Sequence, residues 1–256
     1  MTVAARRALA PHGTFFGREA NTMTLDQAKR RLIDAGRILE ANGLGDLTRG
    51  HVSIRTPDDS NLFIMKPHSY GFDEITEENI VLCNLAGEKI GGGGRRHSEV
   101  FIHSEIFKAR PEINSVVHAH PAHAIALSAT GQDLQMISQP ACKFADGLPY
   151  YSETMFLIRT QEMGAGVAKA LGQSKATLMR NHGVAVAGRT VEEAVVLTLA
   201  LEEACRIQLM AQAAGGVGER FSDDEVSRLH DAITREEQFT MNFDFLARKA
   251  NRLHAH

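Results

Sequence analysis

The residues best placed for chemistry are His118 and His120, in the run Ser115-Val116-Val117-His118-Ala119-His120-Pro121. β-Favouring residues lead into two histidines at i and i+2, and the period-2 geometry of a strand turns both imidazoles to one face. Pro121 has no amide hydrogen to add to a ladder and stops the strand there. Two imidazoles on one edge can grip a divalent ion, and a catalytic site asks for a third protein ligand beside an open position. His182 is the candidate, at the end of the apolar run in Ala176-Thr177-Leu178-Met179-Arg180-Asn181-His182-Gly183, with Gly183 expected to permit a sharp turn. One such histidine would read as a half-buried strand residue satisfied by a carbonyl. A same-face pair at a strand end, with a third in a like setting, reads as a metal site.

The elements that must position these side chains follow from caps, periodicity and breakers. Thr24-x-x-Gln27 suits a capping box, and Leu25, Ala28, Leu32, Ala35 and Leu39 continue at helical spacing until Gly43. His51 to Arg55, a Pro57-to-Asn61 turn and Leu62 to Met65 give a hairpin signal, and Ile80 to Leu85 adds a strand. Gly91 to Gly94 reads as a flexible loop without the Lys-Ser/Thr of a phosphate-binding P-loop. Ser98 to Lys108 predicts a helix that stops before Pro111, since the residue preceding a proline is pushed out of the α region. Helices are expected over Ala122 to Ala129, closed by Gly131, and over Gln161 to Leu171, closed by Gly172. A second capping box at Thr190-Val191-Glu192-Glu193 opens a long helix to about Ala213, and Ser222-Asp223-Asp224-Glu225 opens a helical C-terminal region. The division expected is an arm over 1–22, one α/β domain over 23–215, and a helical tail over 216–256 packing on the domain or on a neighbouring subunit. A disordered or partner-draping arm is the first reading of 1–22, and a transit peptide the second.

Composition excludes several classes. The 256 residues, 43% hydrophobic, suffice for a well-buried core. A formal net charge of -3 gives no basic surface for nucleic acid. Three widely spaced cysteines, Cys83, Cys142 and Cys205, read as structural thiols in a reducing compartment. No apolar run approaches the ~18 residues of a membrane span, so the expected setting is cytoplasmic, with no membrane partner.

The order of the motifs adds a further residue. On its own, Glu99 in Arg95-Arg96-His97-Ser98-Glu99 is a plain acid on a first helical turn, favoured there by the helix dipole. Yet Gly-x-Val-Ser-x-Arg on an early strand, Ser-Glu opening a helix, His-x-His-Pro after a strand and Asn-His-Gly after a later one together resemble the class II aldolase and adducin family. The match runs from about Thr24 to Ala213. The resemblance implies an α/β/α sandwich around a mostly antiparallel sheet and a homotetramer with active sites near subunit interfaces. It also implies one divalent metal ion per subunit (Zn, Mn, Fe or Co) held by His118, His120 and His182, with Glu99 as the catalytic acid/base. Adducin-type relatives lack the metal ligands, so the intact triad weighs against a purely structural role.

Departures from the sugar-phosphate members narrow the substrate. Where those members cradle phosphate with Gly-Asn, Thr-Gly and Ser-Ser, this chain has Gly50-His51, His68-Ser69 and His97-Ser98. A phosphate cradle needs compact donors and close backbone approach, whereas bulky imidazoles suit carboxylates and phenolic oxygens. His51, His68, Ser69, His97 and Ser98 are therefore the expected substrate contacts. The expected activity is a lyase that decarboxylates a hydroxylated aromatic or heteroaromatic dicarboxylate. Aldol cleavage of a hydroxy-ketone or sugar phosphate is the alternative, and an adducin-like interaction module or oxygen activation at iron are weaker ones. Arg49 and Arg96 read as surface charges near the site.

Overall fold

In a computed structural model, which describes residues 23–254, Thr24 Oγ1 accepts from the Gln27 amide and Gln27 Oε1 accepts from the Thr24 amide. This capping box starts α1 (Leu25–Ala41), whose buried stripe of Ala28, Leu32, Ala35 and Leu39 matches the spacing read from the sequence. The arm expected over 1–22 lies outside the described residues. β1 (His51–Arg55) and β2 (Leu62–Met65) form the expected hairpin, followed by β3 (Val81–Asn84) and β4 (Lys89–Gly92). The glycine run is thus partly strand: Gly91 and Gly92 pair with β3. A Cβ at Gly92 would collide with the Ile80 carbonyl, so glycine is required there for close approach, with φ at +84°.

After the loop come α2 (Val100–Ala109), β5 (Ser115–Ala119) and α3 (Ala122–Thr130), which Gly131 ends in the left-handed conformation. The less regular stretch beyond it holds α4 (Gln139–Cys142) and β6 (Tyr150–Tyr151). Then follow α5 (Gln161–Leu171), β7 (Ala176–Met179), β8 (Gly183–Gly188) and α6 (Val191–Ala213). The chain continues through α7 (Asp223–Ile233) and α8 (Glu236–His254). At α6 only half of the expected box forms. Thr190 Oγ1 accepts from the Glu193 amide, but the Glu193 carboxylate turns to the Arg189 amide and the Lys175 ammonium.

The strands make one eight-stranded sheet in the order β4-β3-β2-β1-β5-β8-β7-β6, antiparallel except for the β6–β7 pair. Alternation splits it into two faces. Val52, Ile54, Val117 and Val184 pack towards α1, α6 and α8, and Phe243 of α8 is fully buried in that layer. Met65, Val116 and Ala185 pack with α2 and α5 on the other. The result is the α/β/α sandwich expected. His51 and His118 are direct cross-strand partners on the α2 face, near the middle of the sheet, where β1 begins and β5 ends. Among the described residues, no helix is long and apolar enough to cross a membrane.

Candidate metal centre and its histidine shell

His118 stands on the last α2-facing position of β5, fully buried, and its Nδ1 hydrogen donates to the Val184 carbonyl at 2.9 Å. His120 lies just past the strand and donates from Nδ1 to Asp46 Oδ2 at 2.9 Å; Asp46 is also 3.2 Å from Arg49 Nε. With each Nδ1 hydrogen committed to an acceptor, each Nε2 carries a lone pair. These two lone pairs face each other at 3.1 Å. His182 completes the group from the β7–β8 turn, and both of its ring nitrogens are buried without a hydrogen-bond partner. One nitrogen from each of the three lies within 4.8 Å of the others. Apposed lone pairs repel unless a cation shares them, and an orphaned buried imidazole has lost its water contacts for nothing. The donor set therefore fits a divalent ion such as zinc.

The turn that carries His182 differs from the expected one. The left-handed residue is Asn181, with φ at 53°, whereas Gly183 begins β8. Its missing side chain matters for a different reason, because a Cβ would run into the Ala119 carbonyl and the His120 ring.

Burial keeps these rings uncharged. It pushes His118 well below the ordinary imidazole range, with His120 and His182 adding to the effect, and it lowers His182 to about 4. Burial also lowers His120, which the hydrogen bond to Asp46 opposes. Neutral imidazoles are the form that binds metal.

Glu99 faces this cluster from the N-cap position of α2, where its side chain makes no capping bond. The carboxylate instead accepts from the Ile158 amide at 2.9 Å through Oε1. Its oxygens lie 3.8 Å from His118 Nε2, 3.8 Å from His51 Nε2 and 3.7 Å from His182 Nε2, longer than hydrogen bonds. Burial raises the Glu99 carboxyl, against the Ile158 amide and Arg159, which lower it. A carboxyl that burial shifts towards its protonated form can serve as an acid/base.

Of the expected substrate contacts, the structure brings His51 against the cluster and His97 against His51. Their rings are 4.4 Å apart, both are buried, and each has an unpartnered Nε2. Burial lowers His97 to about 2, while a bond to the Pro67 carbonyl works the other way. His68 sits farther out, 5.0 Å from His97 ring to ring, with Nδ1 2.5 Å from the hydroxyl of exposed Ser69. Ser98 is half-buried between His97 and Glu99. Arg49 is mostly exposed and joins the site only through Asp46, and Arg96 lies over the Phe101 ring.

Asp46 and His103 are not among the site residues read from the sequence, and Ser53 enters there only as the serine of the Gly-x-Val-Ser-x-Arg motif. His103 lies four residues after Glu99, one helical turn along the same face, and Ser53 lies two residues after His51 on the same strand face; both signals were present. Asp46 comes from a loop and carried none.

Residues 30–209 match the family model of the class II aldolase and adducin N-terminal domain. The chain is 37% identical over 188 residues to the meiotically up-regulated gene 14 protein of Schizosaccharomyces pombe, covering 73% of each chain. It is 29% identical over 226 residues to a 3,4-dihydroxyphthalate decarboxylase of Arthrobacter keyseri, covering 84% of this chain and 91% of that one. Among solved structures, L-fuculose 1-phosphate aldolase from Glaciozyma antarctica PI12 superposes with a TM-score of 0.81 at 27% identity, covering 95% of this chain and 94% of that one.

Proposed function

The chain belongs to the class II aldolase and adducin family, and from that premise we propose that it is a metal-dependent carbon-carbon lyase that decarboxylates a hydroxylated aromatic or heteroaromatic dicarboxylate. The observation that carries this reading is the placement of two buried imidazoles: His51 against Glu99 and His118, and His97 behind it against the His51 ring. Rings of that size fill the space a compact phosphate cradle needs, and they offer hydrogen-bonding nitrogens for a carboxylate or a phenolic oxygen. The decarboxylase relative, aligned over most of both chains, supports the same reaction class.

His118, His120 and His182 would hold the ion. When bound, it supplies a Lewis acid for the oxygens of the reacting carboxylate and its neighbouring hydroxyl. Glu99 holds the proton. As the carbon-carbon bond to the carboxylate breaks, carbon dioxide departs and the electron pair stays with the ring; the Glu99 proton then takes the vacated place on carbon, so each turnover consumes one proton. His51 and His97 orient the substrate, His68 and Ser69 stand at the outer end, and Ser98 lies between the two groups. The same reading carries one ion per subunit (zinc, manganese, iron or cobalt), a cytoplasmic setting and a homotetramer. Exposed Met155, Phe156 and Leu157, beside the Ile158 amide that holds Glu99, support subunit burial next to the site.

Aldol cleavage is a second reading, favoured by the superposition on an L-fuculose 1-phosphate aldolase. Purified protein loaded with zinc or manganese should be offered hydroxylated aromatic dicarboxylates and ketose 1-phosphates in parallel. Carbon dioxide from the former supports the proposal. An aldehyde from the latter, with no carbon dioxide from any dicarboxylate, replaces it with the aldolase.

A further inference from the structure

Behind His51, away from the cluster, runs a buried chain of hydrogen bonds that the chemistry above does not use. His51 Nδ1 lies 2.6 Å from His103 Nε2, and His103 Nδ1 lies 2.6 Å from Ser53 Oγ. All three residues are fully buried. We propose that Ser53 and His103 are positioning residues that lock His51 in the tautomer with its hydrogen on Nε2, making it a neutral hydrogen-bond donor aimed at substrate and not a metal ligand.

Two independent observations set the direction of the chain. The first is at its far end. Ser53 Oγ makes no other hydrogen bond among the described residues, since the Ser115 hydroxyl donates to the Ser53 backbone carbonyl and not to its side chain. A buried hydroxyl that only accepts leaves its hydrogen orphaned, so Ser53 O–H donates to His103 Nδ1. Burial holds His103 down to about 3, so it stays neutral and its one hydrogen lies on Nε2. That hydrogen points at His51 Nδ1, and the His51 hydrogen is left on Nε2.

The second observation is at the near end. His51 Nε2, a Glu99 oxygen and a His118 nitrogen lie within 4.8 Å of one another, so the three atoms themselves resemble a metal site that overlaps the triad. His118 Nε2 bears a lone pair because its Nδ1 donates to Val184. A lone pair on His51 Nε2 would add a further acceptor facing that one; a hydrogen there relieves the repulsion. It also denies the ion the overlapping position and leaves the triad as its seat. His97, whose ring centroid lies 4.4 Å from that of His51, has a buried Nε2 without a partner among the described residues. A neutral donor at His51 fits a carboxylate oxygen, and this substrate consequence rests on the proposed decarboxylation.

The test reads the tautomer directly. Protein labelled with ¹⁵N-histidine, metal-free and folded, is examined by long-range proton-nitrogen correlation, with the Ser53→Ala and Ser53→Thr variants beside it. The expected result is a protonated Nε2 and a bare Nδ1 at His51, and the opposite arrangement at His118. Ser53→Ala should shift His51 towards the other tautomer, Ser53→Thr should restore it, and metal content should not change in either. On a substrate that the protein decarboxylates, Ser53→Ala should lower turnover by about 10- to 100-fold, as loss of the partner behind an imidazole does, with rescue by threonine. A bare Nε2 at His51 in the unmodified protein, or a tautomer indifferent to Ser53→Ala, overturns the inference whatever the enzyme turns over. The expected tautomer in a protein that releases no carbon dioxide leaves the positioning role standing and removes the proposed reaction.

Discussion

His118 and His51 are cross-strand neighbours with ring centroids 4.9 Å apart, yet they face the same space in opposite chemical forms. On the β5 and β8 side, Nδ1 meets acceptors: the Val184 carbonyl for His118, and the Asp46 carboxylate for His120. On the β1 and α2 side, His51 Nδ1 meets a chain that starts from a hydroxyl donor. An imidazole has one hydrogen to place when neutral, so the partner behind the ring decides what the front presents. The first side offers lone pairs to an ion, and the second offers a hydrogen to a substrate oxygen. Residue type alone does not separate a ligand from a substrate contact; the outer partner does.

Glu99 lies between the two sides, and its loss should have the largest effect. Glu99→Gln keeps the shape and the Ile158 contact but cannot hold the transferable proton, so turnover should fall by about 10²–10⁴ with metal retained and the His51 tautomer unchanged. Single-turnover kinetics alongside elemental analysis checks this, and full turnover would remove Glu99 from the mechanism. Asp46→Ala acts on the ligand side alone. It removes the acceptor behind His120 and should weaken metal affinity by about 10- to 100-fold in a competition titration, whereas Ser53→Ala should leave that affinity unchanged. Equal losses from both variants would erase the distinction between the two sides. Gly183→Ala acts on the fold and not on the chemistry, because its Cβ must displace the Ala119 carbonyl or the His120 ring. A destabilisation of about 1–3 kcal/mol is expected in urea unfolding of metal-free protein, with the His51 tautomer intact.

Much of the architecture is legible in the sequence because local signals agree with tertiary packing. The box at Thr24, the αL stop at Gly131 and the span Gln161–Leu171 each rest on contacts within a few residues. The period-2 reading likewise put His118 and His120 at one strand end, and both reach the same cluster. Where the reading missed, the deciding partner was distant in sequence. Gly91 and Gly92 read as a flexible loop, but they form β4, and Gly92 is pressed onto the Ile80 carbonyl. Gly183 read as a turn residue, but it is small because Ala119 passes behind it, and Asn181 makes the turn. Glu193 read as the second half of a capping box, but Lys175 and the Arg189 amide claim its carboxylate. Asp46 reaches His120 across 74 residues, a pairing that no local pattern encodes.

One ion held by His118, His120 and His182 underlies the proposed chemistry, and metal content after dialysis against excess zinc or manganese tests it most directly. The unmodified protein should retain one ion per chain, while a folded His120→Ala protein should lose most of it and its activity together. Full occupancy in the His120→Ala protein, or none in the unmodified one, would contradict the assignment.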